Sequence, residues 1–236
     1  MSGDGPGNGF LRGHSLGIFF GLLFLAALVG QSVAGFHEYN QTELAQARLA
    51  GEAPHTIGYL SYLTSPEMSR DVMENWQSEF LQFLLFITVT VWLVQRGSPE
   101  SKQPGREGTE SDREQKVGRH ADADSPLLAR IGGLPTRIYS NSLAIVMGLI
   151  FLGSWLAQSI TGWPAYNAEQ AAYSQPTVSW LEYLGTADFW ERTLQNWQSE
   201  FLAVGTMAVF AIYLRQRGSP ESKPVGSAHD STGVEG

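Results

Sequence analysis

An internal duplication constrains this chain more than any other feature of its sequence. The segment NWQSEFL occurs at residues 75–81 and again at 196–202, and QRGSPESK occurs at 95–102 and at 216–223, both pairs 121 positions apart. Shorter matches upstream, such as YN at 39–40 and 166–167, are 127 positions apart. The difference of six residues indicates an insertion in the first copy, between Asn40 and Ile57. The fold must therefore contain one structural unit twice.

Four stretches without a charged residue predict four membrane-spanning helices. They run from Ser15 to Phe36, from Phe80 to Val94, from Ser142 to Ile160 and from Phe201 to Leu214. Because a helix rises about 1.5 Å per residue, about 20 apolar residues cross the hydrocarbon. The second and fourth runs reach that length only when residues 76–79 and 197–200 are added.

Two alternatives to this interpretation are open. Four buried helices of a soluble protein would each need a polar face, which residues 18–29 lack. A cleaved signal peptide would suit the first run, because small residues at Ser32, Ala34 and Gly35 follow its most apolar stretch, residues 16–30. The matching segment in the middle of the chain argues against a signal peptide.

The average composition hides this arrangement and excludes some functions. The 236 residues carry a formal net charge of -8 and have a mean hydropathy of -0.12, values that suit a soluble domain. An acidic chain is not expected to bind nucleic acid in general, since that requires a basic surface. The chain contains no Cys and therefore has no disulfide, thiolate metal site or Cys nucleophile.

The duplication and the four runs together predict an all-α fold with four transmembrane helices, arranged as two parallel two-helix repeats. Short interfacial helices are expected in the outer loops at 59–63 and 180–184, with ordered loop turns as an equal alternative. The predicted segments are a cytoplasmic amino tail (1–13), repeat 1 (14–102), a disordered cytoplasmic linker (103–130), repeat 2 (131–223) and a disordered carboxyl tail (224–236).

The distribution of Lys and Arg predicts the orientation. Twelve of the 15 basic residues lie in the tails and the central linker, and only Arg48, Arg70 and Arg192 lie in the two intervening loops. Because basic residues concentrate on the cytoplasmic side, both termini and the linker should be cytoplasmic. The expected location is the bacterial inner membrane.

The second helix of each repeat should begin outside the membrane. Ser65 and Thr186 are suitable cap residues, and Gly97 and Gly218 are suitable stops, so the first of these helices is expected to run from about Pro66 to Arg96. Aromatic residues predict interfacial anchors on both sides of the membrane. The outer anchors are Trp76 and Trp197, and the inner ones are Trp92 and Tyr213.

Polar residues at the outer ends of the spans are the candidate functional residues. An ionisable group beside hydrocarbon suggests function, and a pseudo-two-fold axis would gather these side chains around one outer vestibule suited to a cation or proton. The predicted set is Gln31, Asn75, Glu79, Gln158, Asn196 and Glu200. The alternative is structural, with helix caps and hydrogen bonds between helices. Since Gln82 is replaced by Ala203 in the second copy, no symmetric polar path continues inward.

Nothing in the sequence predicts catalysis. The five His are scattered without metal-ligand spacing, and no phosphate loop or nucleophile motif occurs in a suitable context. The repeated Gly-Ser-Pro-Glu-Ser-Lys is better interpreted as a turn than as a Ser/Lys nucleophile. We therefore expect no enzyme activity, no cofactor and no metal.

The repeated NWQSEFL and QRGSPESK, with the duplicated GQS and EYN or AYN segments, resemble a bacterial family of small uncharacterised membrane proteins, a domain of unknown function. The resemblance covers residues 10 to 224. It implies a membrane location and a duplicated two-helix unit, and it carries no activity or catalytic residue. A non-enzymatic scaffold or envelope-related role is the first expectation, a small transporter or channel subunit the second, and a membrane-bound enzyme the third. The expected partners are the lipid bilayer and a membrane protein or a second copy, with no nucleic acid.

Overall fold

The computed structural model describes residues 6–51 and 53–234, and it is built from helices joined by turns. No β-strand occurs in these ranges, so the predicted all-α class is confirmed. The helices are α1 (Pro6–Gly13), α2 (Ser15–Ala50), α3 (Tyr59–Leu63), α4 (Pro66–Val89), α5 (Leu127–Arg130), α6 (Gly133–Ser140), α7 (Ser142–Ala172), α8 (Trp180–Tyr183) and α9 (Ala187–Tyr213). The chain forms two units, residues 1–69 and 70–236.

In the first unit, the short helix α3 folds back onto α2. The hydroxyl groups of Ser32 and Tyr59 share a hydrogen bond of 2.7 Å. One turn along α2, Gly35 leaves room for the hydroxyl of Tyr62, and a side chain at this position would collide with it. Tyr62 is 3% exposed, so its ring is the buried contact of this loop.

In the second unit, α8 makes the same contacts with α7. The indole Nε1 of Trp180 donates to Ser159 Oγ at 3.3 Å, and the hydroxyl of Tyr183 packs on Gly162. These four residues correspond to the four contact residues of the first unit at offsets of 121 and 127. The short helices predicted in both outer loops are therefore present.

An asparagine closes each outer loop in the same way. Asn40 Nδ2 donates to the carbonyl of Ile57 at 3.1 Å, and its Oδ1 accepts from the Ile57 amide at 2.9 Å. Asn167 makes the same pair of bonds with Val178, both at 2.9 Å. The six inserted residues of the first copy lie between the two partners and leave this asparagine clamp unchanged.

Within the second unit, α7 and α9 are antiparallel. The Phe151 ring lies 6.4 Å from Trp197, and one turn further along α7 the Trp155 ring stacks on Phe189 at 6.2 Å. Helix α4 also packs against α7, since Leu84 lies 3.7 Å from the Cβ position of Gly148. Large aromatic rings therefore form the contact between α7 and α9, and Gly148, which has no side chain, leaves room for Leu84 of α4.

Two of the four predicted spans meet the length and hydropathy required to cross a membrane. Among the described residues, α2 and α7 qualify, whereas α4 and α9 do not. The uncharged part of α4 after Glu79 is only ten helical residues, about 15 Å, and that of α9 after Glu200 is 13 residues, about 20 Å. The expectation of four spanning helices is met for two.

Both second helices begin where the caps predict and end earlier than the glycines predict. Ser65 Oγ accepts from the Met68 amide at 3.2 Å, and Thr186 Oγ1 accepts from the Phe189 amide at 3.3 Å. Helix α4 ends at Val89 within a β-branched run of low helix propensity, so the predicted end at Arg96 is wrong.

Helix α9 ends at Tyr213 because a side chain takes over its last carbonyl groups. The guanidinium of Arg215 donates to the carbonyls of Ala211, Ile212 and Leu214 at 2.8–3.2 Å. The two glycines instead form tight turns beyond the helices, and Gly97 adopts a φ of +88°, which favours glycine.

The repeated QRGSPESK segments form matching turns. The amide of Gln95 donates to Ser101 Oγ, and that of Gln216 donates to Ser222 Oγ, both at 2.9 Å. The Lys223 amine donates to three backbone carbonyls of the carboxyl tail.

Between these turns, residues 103–130 contain one 3-10 turn at Gly118–His120, helix α5 and other turns.

Candidate functional site

The two copies of NWQSEFL meet in the second unit. Trp197 Nε1 donates to Gln77 Oε1 at 2.7 Å, and Gln77 is completely buried. The other side-chain atom of Gln77, Nε2, has no hydrogen-bond partner among the described residues. A buried amide without its full set of bonds is costly, so the bond from Trp197 stabilises this contact.

Charged residues continue the contact on the loop side. Asn196 Nδ2 donates to Glu74 Oε1 at 2.8 Å, and Arg192 Nη1 lies 3.6 Å from Glu74 Oε2. Arg192 Nε also donates to Asp188 Oδ1 at 3.0 Å. We call these four residues, together with Tyr183, the interhelical polar cluster. It joins the first half of α4 to the first turns of α9.

Burial controls the electrostatics of this cluster. It raises the pKa of Glu74 above its ordinary value, and the nearby Arg192 offsets part of this effect. Burial also raises the pKa of Tyr183, with a further contribution from the neighbouring Asp188 carboxylate. The Tyr183 hydroxyl donates to that carboxylate at 3.2 Å. The cluster therefore consists of positive and negative groups that satisfy each other across a helix pair.

The structure brings some of the predicted vestibule residues together. Glu79 is exposed and Glu200 is half-buried, and the two carboxylates are near enough for their charges to interact. Asn196 belongs to the interhelical polar cluster, whereas Asn75 Nδ2 donates to the backbone carbonyl of Asp71 at 2.8 Å. Asn196 Nδ2 also donates to the Arg192 carbonyl at 2.9 Å, four residues earlier, as Asn75 does to Asp71. The two asparagines therefore differ in the contact of Asn196 with Glu74.

Gln158 lies at another depth. Phe151 is level with Trp197, and Gln158 is seven residues further along α7, about 10 Å toward the outer loop. Glu200 is displaced from Trp197 in the opposite direction, which separates the two by about 15 Å along the helices. The structure thus does not gather Gln158 with the glutamates. Gln31 lies on α2 in the first unit.

Gln158 is nevertheless unusual. Its side chain is completely buried on α7, on the face that also carries Gly162, and neither of its amide atoms has a hydrogen-bond partner in the described residues. Sequence reasoning placed it on a vestibule wall, but its position is inside the packing of α7.

The four predicted anchors divide into two types. Trp92 and Tyr213 are 63% and 61% exposed, and Trp76 is 36% exposed, so these three rings lie at the surface of the protein. Trp197 is half-buried and packs against Phe151 with its indole bound to the opposite copy.

Sequence reasoning missed the charged part of the site. Asp71 and Arg192 occupy equivalent positions of the two copies, 121 residues apart, and carry opposite charges, as do Arg70 and Glu191. Elements related by a pseudo-two-fold axis bring equivalent positions near each other, so such a reversal of charge is a signal of ion pairing. A comparison of the charges at equivalent positions of the two copies would have predicted this contact.

The chemistry of the site is that of a structural contact. Its carboxylates and its guanidinium neutralise one another, and no group of three or more His, Cys, Asp or Glu able to hold a metal ion occurs in the described ranges. The lysines of the repeated turns also have partners, since the amine of Lys102 donates to the Gly108 carbonyl at 2.6 Å.

The fold and the site define an all-α protein in which the two copies of the NWQSEFL segment are joined by polar side chains of α4 and α9. Comparison with known families confirms one part of the resemblance, that to a domain of unknown function: the chain belongs to DUF6766, which matches residues 7–234. No curated protein and no solved structure matches the chain.

Proposed function

We propose that this protein is a multi-pass protein of the bacterial inner membrane with a non-enzymatic, scaffolding role. The observation that supports this best is the interhelical polar cluster, because its groups bind each other rather than converge on an open site. Mutually satisfied polar side chains between helices fix one arrangement of a bundle. A rigid bundle with exposed apolar helices is suited to holding partners in the membrane.

We propose that the chain crosses the membrane four times, with both termini and the central linker in the cytoplasm. The uncharged lengths of α2 and α7 support two crossings. From Trp76 to its end, α4 is about 21 Å long, and five further uncharged residues, 90–94, follow it. From Trp197 to its end, α9 is about 25 Å long. A bilayer that thins by a few Å accommodates such lengths at modest cost.

The absence of Cys makes this topology testable. Single cysteines at exposed positions would be labelled in intact cells with a membrane-impermeant maleimide, using H55C and Q175C in the outer loops and S111C and A228C in the linker and tail. We expect labelling of the first two from outside and of the last two only after permeabilisation. If S111C is labelled together with H55C, α4 does not cross and the topology is wrong.

Scaffolding is tested by in-cell crosslinking followed by identification of the captured proteins. The expected result is the same small set of membrane proteins from independent preparations, with no ion flux in reconstituted liposomes. Loss of capture in R192Q, a variant that removes the ion pairs of the interhelical polar cluster with Glu74 and Asp188, would show that the rigid arrangement matters. Capture that is unaffected by this substitution would contradict the role given to the cluster.

A transporter subunit is the second candidate. It is favoured by Glu79 and Glu200, which lie close together and make no hydrogen bond or ion pair within the described part of the chain. Liposomes containing the wild type would then show cation or proton flux that the double variant E79Q/E200Q loses. Equal flux from both proteins, or none, would remove this candidate.

A further inference from the structure

A cleft of about 360 Å³ opens in the second unit between α7, α8 and the start of α9. Its walls are mostly aromatic and branched aliphatic. The main lining residues are Leu152, Trp155, Leu156, Trp180, Leu184 and Trp190. No charged side chain lines it in the part of the chain that the structure describes. Its volume lies within the range of natural ligand pockets.

The cleft offers its occupant almost no hydrogen bond, because its three indole N–H groups are already engaged. Trp155 Nε1 donates to Thr193 Oγ1 at 3.4 Å, and Trp190 Nε1 donates to the carbonyl of Leu184 at 2.9 Å. The third, from Trp180, reaches Ser159 Oγ at 3.3 Å, and that hydroxyl in turn donates to the backbone. What fits this cleft is therefore a hydrocarbon rather than a polar metabolite.

This aromatic lining is a property of the second copy alone. The positions equivalent to Trp155, Trp180 and Trp190 in the first copy are Leu28, Tyr59 and Ser69. The loop after α2 closes with Tyr59 at the position of Trp180 and with the same asparagine bonds, so closing such a loop does not require an indole. The cleft is a feature added to one repeat.

The mouth of the cleft continues into an exposed apolar stripe. Leu152 and Leu156 are 57% and 52% exposed, and Leu149 and Ile160 extend the same face of α7 at 65% and 52%. Helix α7 is one of the two helices long and apolar enough to cross a membrane. A groove that opens from such a face is reached by acyl chains without passing through water.

We infer that this cleft binds one acyl chain of a membrane phospholipid, at the outer end of α7. The inference rests on the proposed membrane location. Tryptophan-rich walls at this level match the boundary between headgroups and acyl chains, where amphipathic rings concentrate. The aliphatic side chains supply the apolar contact, and the bound indole N–H groups keep the walls rigid.

The test uses purified full-length protein in detergent micelles, titrated with phosphatidylcholine whose acyl chains carry bromine. Bromine quenches tryptophan fluorescence on contact. For the wild type we expect quenching that saturates near one lipid per chain. L156Q places an amide in the cleft and should weaken binding about tenfold, since it removes apolar contact comparable to one or two buried methylene groups. L149Q changes an exposed leucine outside the cleft and should bind like the wild type.

Three outcomes would overturn the inference. Quenching that never saturates, or that is equal in L156Q and the wild type, would mean that lipid touches only the general surface. A disulfide-linked dimer of L156C in native membranes, together with no saturable quenching, would assign the cleft to a second copy of the chain. Loss of the whole protein from membranes on an alkaline wash is a separate result, which would refute the membrane location instead.

Discussion

Trp197 and Gln77 join the two copies of NWQSEFL through positions that are not equivalent: Trp197 corresponds to Trp76, and Gln77 corresponds to Gln198. The copies are identical over these seven residues, yet the indole of one meets the amide of the other. A two-fold contact pairs one position of a copy with a different position of the other copy except at the axis itself, so unlike partners are expected here. The ring of Trp197 thereby lies beside the buried amide of Gln77.

Removing the indole donor should weaken this contact. In W197F, the ring contact with Phe151 remains, but Gln77 loses its hydrogen bond while it is still buried. We therefore expect the free energy of unfolding to fall by about 1 kcal/mol, within the range for hydrogen bonds between helices. Thermal unfolding in detergent measures the change. W92F removes an exposed indole and serves as the matched control. If both variants unfold at the same temperature, the bond contributes nothing.

The raised pKa of Glu74 gives a pH dependence of known sign. Since the folded protein binds this proton more tightly than the unfolded chain does, the stability contributed by Glu74 is present below its unfolded pKa and is lost as pH rises through the folded pKa. Glutamine at this position cannot titrate. E74Q should therefore lose more stability relative to the wild type at about pH 4 than at about pH 7.5.

This difference is measured from unfolding temperatures of both proteins across that pH interval. The control E169Q changes an exposed carboxylate of α7 that lies outside the interhelical polar cluster, and it is measured over the same interval. A stability difference for E74Q that grows with rising pH would show that the ion pair with Arg192 outweighs burial, contrary to expectation.

The packing of Tyr183 on Gly162 predicts a pair of compensating substitutions. A methyl group in G162A would lie 2.5 Å from the Tyr183 hydroxyl oxygen and must displace it. We expect a loss of about 1–3 kcal/mol, as for overpacked cores. Adding Y183F removes the hydroxyl, so the double variant should be more stable than G162A alone. Thermal unfolding of all four proteins gives the coupling energy, and strictly additive losses would disprove the contact.

The asparagine clamps should hold the outer loops closed. N40A removes the side-chain partner of both the amide and the carbonyl of Ile57. N167A removes that of the Val178 amide, whereas the Val178 carbonyl keeps the Trp163 indole at 2.7 Å. We expect a loss of about 1–3 kcal/mol for each, with N167A at the lower end. Limited proteolysis should cut the affected loop faster and leave the other unchanged. Q41A, beside the first clamp and exposed, is the control; equal cleavage of Q41A and N40A would contradict the assignment.

The starts of the helices could be predicted because they depend on local chemistry. Ser65 and Thr186 accept the backbone amides that their sequence context predicts. The helix ends could not, since Arg215 reaches back to two carbonyls of α9 and to that of Leu214 just beyond it, a contact that depends on which rotamer the long side chain adopts.

The site was predicted only in part, because the axial register of α7 against α9 could not be predicted. The outer ends of the spans were aligned by hydropathy, whereas the rings of Phe151 and Trp197 set the actual level of α7 against α9. This alignment moves Gln158 away from Glu200 and brings Glu74 into the contact instead. Axial register depends on side-chain shape across a helix pair, which hydropathy does not encode.

The clamp of Asn40 on Ile57 has a practical consequence for anyone who wishes to handle this protein. Helix α2 continues for ten residues beyond Asn40, whereas α7 continues for only five beyond Asn167. The additional helical residues of α2 are not part of the asparagine clamp. The first copy contains six more residues here than the second, and the hydrogen bonds between Asn40 and Ile57 are still formed. The segment between Gln41 and Thr56 is therefore the natural place to graft an epitope for detection or capture.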